Sequence, residues 1–149
     1  MKDSGKEARR WLLQAEDDLK FVEWVLREGV FFDKGCFMSQ QAGEKALKAC
    51  LYGTGKRSVF GHSLFEMIND LCTYHSTFEK LSKEARRLDR FYIPTRYPNG
   101  LPGGMPFQVY SKEELEEAVT DVRKICEAAR SFLQDQNISL DSESATRNP

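Results

Sequence analysis

Histidine is scarce in this chain of 149 residues, which holds only His62 and His75. The four cysteines, Cys36, Cys50, Cys72 and Cys126, lie 14, 22 and 54 positions apart. No C-x-x-C pair occurs, so neither a zinc knuckle nor a dithiol redox centre is encoded, and no metal or other cofactor is expected. Three of the cysteines sit beside apolar positions at helical spacing, where a free thiol acts as a small hydrophobe. Reduced thiols of that kind point to the cytoplasm. Long hydrophobic runs are missing too. Runs such as Val30-Phe31-Phe32 fall far short of the ~20 residues of a membrane helix, and Met1-Lys2-Asp3-Ser4-Gly5 lacks the apolar core of a signal peptide. No membrane partner is expected. Neither sign of charge dominates: 22 Lys and Arg face 23 Asp and Glu, for a net charge of −1. The global balance therefore argues neither for nor against a nucleic-acid partner.

Phosphate cradles of the strand-to-helix type are absent, since neither G-x-x-x-x-G-K-[ST] nor G-x-G-x-x-G appears. The nucleophile elbow and the zincin motif are absent as well. Any bound nucleotide must be held by side chains. No stretch alternates apolar and polar residues long enough for a strand, and no period of 20 to 50 residues repeats.

What the chain does have is helix starts. Ser or Thr followed three residues later by Glu, a pairing that satisfies free backbone donors reciprocally, occurs at Ser4–Glu7, Ser63–Glu66, Ser76–Glu79 and Ser111–Glu114. After the first of these, Ala8, Trp11, Leu12, Ala15, Leu19, Val22 and Leu26 form one stripe, which predicts a helix over 5–28 ended by Gly29. Leu13, Phe21, Trp24 and Val25 widen that stripe beyond what one neighbour covers, as expected for a helix that also faces a second copy.

A second helix is predicted over 33–52, stopped by Gly53-Thr54-Gly55, with Phe37, Gln40, Leu47 and Leu51 inward. Its separate stripe of Gln41, Lys45, Lys48 and Tyr52 reads as a polar face with an aromatic end. The third helix turns Leu64, Ile68 and Leu71 inward. The fourth buries Phe78, Leu81, Ala85, Leu88 and Tyr92, leaving Lys80, Lys83, Arg87 and Arg90 on its opposite side, and cannot extend past Ile93 because Pro94 follows. Residues 95–110 hold three of the five prolines and three of the ten glycines, a long irregular connection of the kind that often carries function. The fifth helix uses Leu115, Val119, Val122, Ile125, Ala129 and Phe132, up to Gln136. The reading is an all-α, five-helix, up-and-down antiparallel bundle over 5–136, followed by a polar, disordered tail over 137–149.

Two constellations could carry chemistry. Lys45, Lys48 and Arg90, with Arg96 and Tyr97 in the following connection, could meet a phosphate while the tyrosine stacks on a base. Otherwise these are solvated faces. Arg57 and His62 stand five positions apart in a turn: an imidazole can move protons near neutral pH and a guanidinium can stabilise a phosphorane-like charge, as metal-free RNA cleavage requires. The plainer alternative is that His62 helps cap the third helix beside Ser63 and Arg57 is a loop residue.

Three segments resemble the signature blocks of HEPN domains (higher eukaryotes and prokaryotes nucleotide-binding). They are Phe37-Met-Ser-Gln-Gln-Ala-Gly-Glu-Lys-Ala-Leu-Lys48, Gly61-His62-Ser63-Leu64 and Leu88-Asp-Arg-Phe-Tyr-Ile-Pro-Thr-Arg-Tyr-Pro98. The opening Lys6-Glu-Ala-Arg-Arg-Trp-Leu further resembles the HEPN domain at the end of sacsin-like, chaperone-related chains. The resemblance implies a bundle that forms homodimers and binds nucleotide such as GTP or ATP, in a fragment of a larger protein. It points to Lys45, Lys48, His62, Tyr92, Arg96 and Tyr97. Another branch of the family comprises metal-free ribonucleases with an arginine, four to six residues and a histidine, paired across a dimer; Arg57 and His62 have that spacing but sit in a turn at a different place in the bundle. Three functions are thereby set against one another: a nucleotide-binding dimerisation module, an RNA-cleaving enzyme using Arg57 and His62, and a purely structural dimerisation domain.

Overall fold

In a computed structural model, residues 3–141, 147 and 148 are described. Every regular element among them is helical. α1 (Ser4–Glu28) and α2 (Phe32–Gly53) form one hairpin; α3 (Leu64–Cys72) and α4 (Ser82–Asp89) form another, with a 3₁₀ turn at Ser76–Leu81 between them. The connection 95–110 contributes a 3₁₀ turn at Pro98–Gly100 and the single-turn α5 (Pro106–Val109), and α6 (Lys112–Asp135) completes the bundle. The five expected helices are present, and α5 is an addition inside the predicted irregular segment.

Local chemistry explains most of the boundaries. Ser63 accepts from the Glu66 N–H and Ser111 forms a full capping box with Glu114. The first helix is capped one residue earlier than its Ser4–Glu7 pair suggests, because the Asp3 carboxylate accepts from the Gly5 and Lys6 N–H groups. Ser76 makes no side-chain cap and opens a 3₁₀ turn, so the fourth helix is two turns shorter than its apolar pattern implies. Gly29 ends α1 in the left-handed region at φ 69°.

The second helix is the axis of the core. Its Ala42, Ala46, Leu47, Ala49 and Cys50 are fully buried, and its glycines set the spacing to its neighbours. A Cβ at Gly35 would stand 2.7 Å from Leu115, one at Gly43 2.6 Å from Leu64, and one at Gly53 2.5 Å from Leu133. These approaches, with the ion pair of Lys56 to Asp70, also fix direction: α6 and α3 both run parallel to α2. The up-and-down path is therefore broken once, where residues 54–63 climb back along α2 before α3 begins. That return brings His62 beside the middle of α2, not its end.

Three expectations are corrected by packing. The stripe Lys45, Lys48 and Tyr52 is not an open polar face, since Lys48 and Tyr52 are only 7% and 5% exposed. Both are covered by α1, where Trp11 lies 6.0 Å from the Tyr52 ring and under the Lys48 ammonium at 5.3 Å. The basic side of α4 loses Arg87, which forks onto the buried Asp121 of α6 at 2.8 and 2.9 Å. Finally, the segment from 137 is not wholly a polar tail: Asn137 takes a left-handed turn at φ 59°, Ile138 packs on the core and Leu140 is buried. Residues 142–146 and 149, within the expected tail, lie outside the described residues.

Candidate functional site

Four segments converge around one aromatic ring. Gly61, at φ 97° in a region that suits a residue without Cβ, delivers His62 to the flank of α2. There the Gln40 side-chain amide donates to the His62 carbonyl at 2.9 Å, and the Glu44 carboxylate stands 2.9 Å from His62 Nδ1. Asp89, the last residue of α4, accepts from the Ser63 hydroxyl and from the Leu64 and Phe65 N–H groups at 2.8–3.0 Å, locking the turn just after the histidine. Backbone, ring and following turn are each held by a different helix residue.

The imidazole is then stacked on Tyr92, with 4.9 Å between centroids and 19° between planes. Because a carboxylate can only accept, Glu44 places the proton of the neutral ring on Nδ1 and leaves the Nε2 lone pair available. Glu44 is buried while the His62 side chain is 59% exposed. The arrangement is a carboxylate behind an imidazole whose other nitrogen remains accessible, suited to taking up and returning a proton.

Arg96 meets the same tyrosine. Its Nε donates to the Tyr92 carbonyl at 2.7 Å, and its guanidinium carbon lies 4.6 Å from the Tyr92 and Phe37 ring centroids and 5.2 Å from that of Tyr97. Three aromatic faces steady the cation. Arg96 makes no ion pair among the described residues, whereas Arg10, Arg87, Arg123, Arg130 and Arg147 each have a carboxylate partner. It also lines a cleft of about 880 Å³ between α1, the start of α2 and the 95–110 connection.

Of the residues singled out from sequence, His62, Tyr92, Arg96 and Tyr97 are brought together. Lys45 and Lys48 are not free to join them. Lys45 pairs with the buried Asp18 at 2.5 Å, and Lys48 is buried 3.4 Å from Glu44. Arg90 is exposed beyond α4 and forms no ion pair among the described residues. Arg57 is exposed on the returning loop; its neighbours Lys56 and Ser58 line a cavity of about 340 Å³ that Arg57 does not. Glu44, Gln40, Phe37 and Asp89 are site residues that the sequence reading passed over or assigned elsewhere. Glu44 could have been noticed: it falls inside the first block, one helical turn before Lys48.

Comparison with known proteins settles the family. The sequence profile of the HEPN domain matches residues 8–132. This chain belongs to the HEPN family. It is 30% identical over 147 residues to "Putative toxin MJ1304" of Methanocaldococcus jannaschii, covering 91% of this chain and 96% of that protein. Among solved structures, TT1696 from Thermus thermophilus superposes with a TM-score of 0.77 at 35% identity, covering 87% of this chain and 98% of the other. The HEPN domain protein TM0613 of Thermotoga maritima has a TM-score of 0.65 at 31% identity, covering 84% of this chain and 98% of its own. ST0689, described as an archaeal HEPN homologue, has a TM-score of 0.71 at 27% identity, covering 89% and 99%. No described helix of this HEPN chain is long and apolar enough to cross a membrane.

Proposed function

We propose that this HEPN domain cleaves RNA without a metal ion, with His62 as the general acid–base. The observation that carries the reading is the accessible imidazole whose Nδ1 is held by the buried carboxylate of Glu44. In the reaction, Nε2 takes the proton of a ribose 2′-hydroxyl, the 2′ oxygen bonds to the adjacent phosphorus, and the bond from phosphorus to the 5′ oxygen breaks. The imidazolium returns its proton to the departing oxygen, leaving a 2′,3′-cyclic phosphate and a 5′-hydroxyl. A relative named as a toxin favours a reactive site over an inert scaffold.

The nucleotide-binding module of a chaperone-related, sacsin-like chain has less behind it. Two of the cations it relies on, Lys45 and Lys48, are already neutralised inside the bundle. Arg96 with Tyr97 is the part of that surface still able to take a phosphate. Pairing of two copies is part of the proposal, since Phe21 and Trp24 expose stacked rings on α1 and Phe31 is exposed at the turn into α2.

The test is incubation of a single-stranded oligoribonucleotide with chelator present, using wild type and His62→Ala. Cleavage by wild type that ends in cyclic phosphate, disappears in the variant and spares the 2′-deoxy oligonucleotide supports the reading. Intact RNA with wild type, together with heat released on titrating GTP or ATP, would transfer the function to nucleotide binding.

A further inference from the structure

We propose that Arg96, not Arg57, is the cation that works opposite His62, and that each protomer carries the whole site. This rests on the RNA-cleavage reading and names the residue that would stabilise its transition state. Attack on phosphorus gathers negative charge on the non-bridging oxygens, and a donor already fixed where that charge develops stabilises it without reorganisation. Arg96 has the properties this demands. One of its five N–H donors is spent on the Tyr92 carbonyl at 2.7 Å, which anchors the group. Its plane is steadied against Tyr92, Phe37 and Tyr97 at 4.6–5.2 Å, and no carboxylate among the described residues neutralises it. The remaining donors are left for an anion.

Tyr92 is the ring that both groups contact. Its ring holds the imidazole at 4.9 Å and the guanidinium at 4.6 Å, and both belong to one chain. Arg57 lacks each of these features. It is exposed on the loop, and among the described residues it makes no side-chain hydrogen bond and no cation–π contact, whereas Arg96 has both. A flexible guanidinium there must first be immobilised, at a cost of roughly 0.5–1.5 kcal/mol of side-chain freedom, before it stabilises anything. Its spacing from His62 in the sequence therefore has no counterpart in the folded site. Two consequences follow for chemistry. The bidentate fork of arginine matches phosphate oxygens in a way a lysine ammonium does not, so Arg96→Lys is not a neutral exchange. A site complete in one protomer also needs no partner residue for catalysis.

Cleavage rates on the same oligoribonucleotide distinguish the assignments. For Arg96→Ala we expect kcat to fall by roughly 100-fold or more, the scale of losing one transition-state donor, with an unchanged far-ultraviolet dichroism spectrum. Arg96→Lys should recover only part of the loss, and Arg57→Ala should remain within about threefold of wild type. Mixed at equal amounts, His62→Ala and Arg96→Ala should recover no activity, since each protomer keeps its own defect. Wild-type cleavage with full activity in Arg96→Ala, or a 100-fold loss in Arg57→Ala, overturns the assignment while leaving RNA cleavage standing. Recovery on mixing overturns the single-protomer site. RNA untouched by wild type removes both.

Discussion

Glu44 Oε1 lies 2.9 Å from His62 Nδ1 and Glu44 Oε2 lies 3.4 Å from Lys48 Nζ, so one buried carboxylate ties the exposed imidazole to a buried ammonium. The ring tautomer is thus set from inside the bundle. A free neutral imidazole favours the proton on Nε2; here the Glu44 acceptor requires it on Nδ1. Nitrogen-15 correlation spectra at a pH where the ring is neutral should report the Nδ1–H form in wild type. Glu44→Gln, whose amide oxygen still accepts, should keep it, and Glu44→Ala should revert to Nε2–H. An Nε2–H ring in wild type would contradict the hydrogen bond.

Stability should depend strongly on the pair between α4 and α6. The hydrogen bond to Asp121, followed by its charge, holds the Arg87 guanidinium protonated well above the ordinary arginine range. Asp121 is almost fully buried, so Arg87→Ala strands an uncompensated charge. The expected loss is about 3 kcal/mol in urea denaturation. Replacing both, as Arg87→Met with Asp121→Leu, should lose much less. Equal losses in the single and double variants would reject this account.

Thiol chemistry gives a pH prediction. Burial pushes Cys36 and Cys126 from 9.0 up to about 12 and pushes Cys50 up as well. Because the folded state holds these protons more tightly than the unfolded chain, their stabilising contribution is complete below pH 9 and drains away as pH rises from 9 toward 12. Unfolding midpoints measured across that window should fall steadily. At pH 8, a thiol reagent should titrate Cys72, the only cysteine not buried, well before the other three. Rapid reaction of all four in the folded protein would contradict the burial.

Self-association is expected through the α1–α2 hairpin, where Phe21 and Trp24 stack 6.4 Å apart while each is more than 40% exposed. Sedimentation at tens of micromolar should show a dimer in wild type and a shift toward monomer in a variant with Phe21→Ser and Trp24→Ser. A wild-type monomer at that concentration would dismiss the paired state.

The bundle was legible in sequence because helix periodicity and caps are local: Ser63 and Ser111 mark starts, Gly29 marks a stop, and buried Leu64, Ile68 and Leu71 repeat at helical spacing. The return of residues 54–63 along α2 was not, since direction depends on which glycine faces which leucine across helices. The site was half legible. His62, Tyr92, Arg96 and Tyr97 stood out by chemistry and by resemblance to HEPN blocks. Lys45 and Lys48 were misjudged because a lysine on a helix pattern looks solvated until its partner, Asp18 or Glu44, is placed beside it by tertiary packing. Arg57 meets the ribonuclease spacing, but spacing says nothing of whether a loop side chain is held, and its exposure fits the plainer reading of a loop residue.

Asp89 ties the C-terminal end of α4 to the start of α3, accepting from the Ser63 hydroxyl and from the Leu64 and Phe65 amides. Local breathing of the histidine turn must therefore break contacts on two helices at once, and the Leu64 and Phe65 amides should exchange with deuterated solvent on the slow timescale of the interior although a loop precedes them. His62 therefore rides on a turn braced from two helices, and a molecule approaching the imidazole meets a held edge, not a swinging loop.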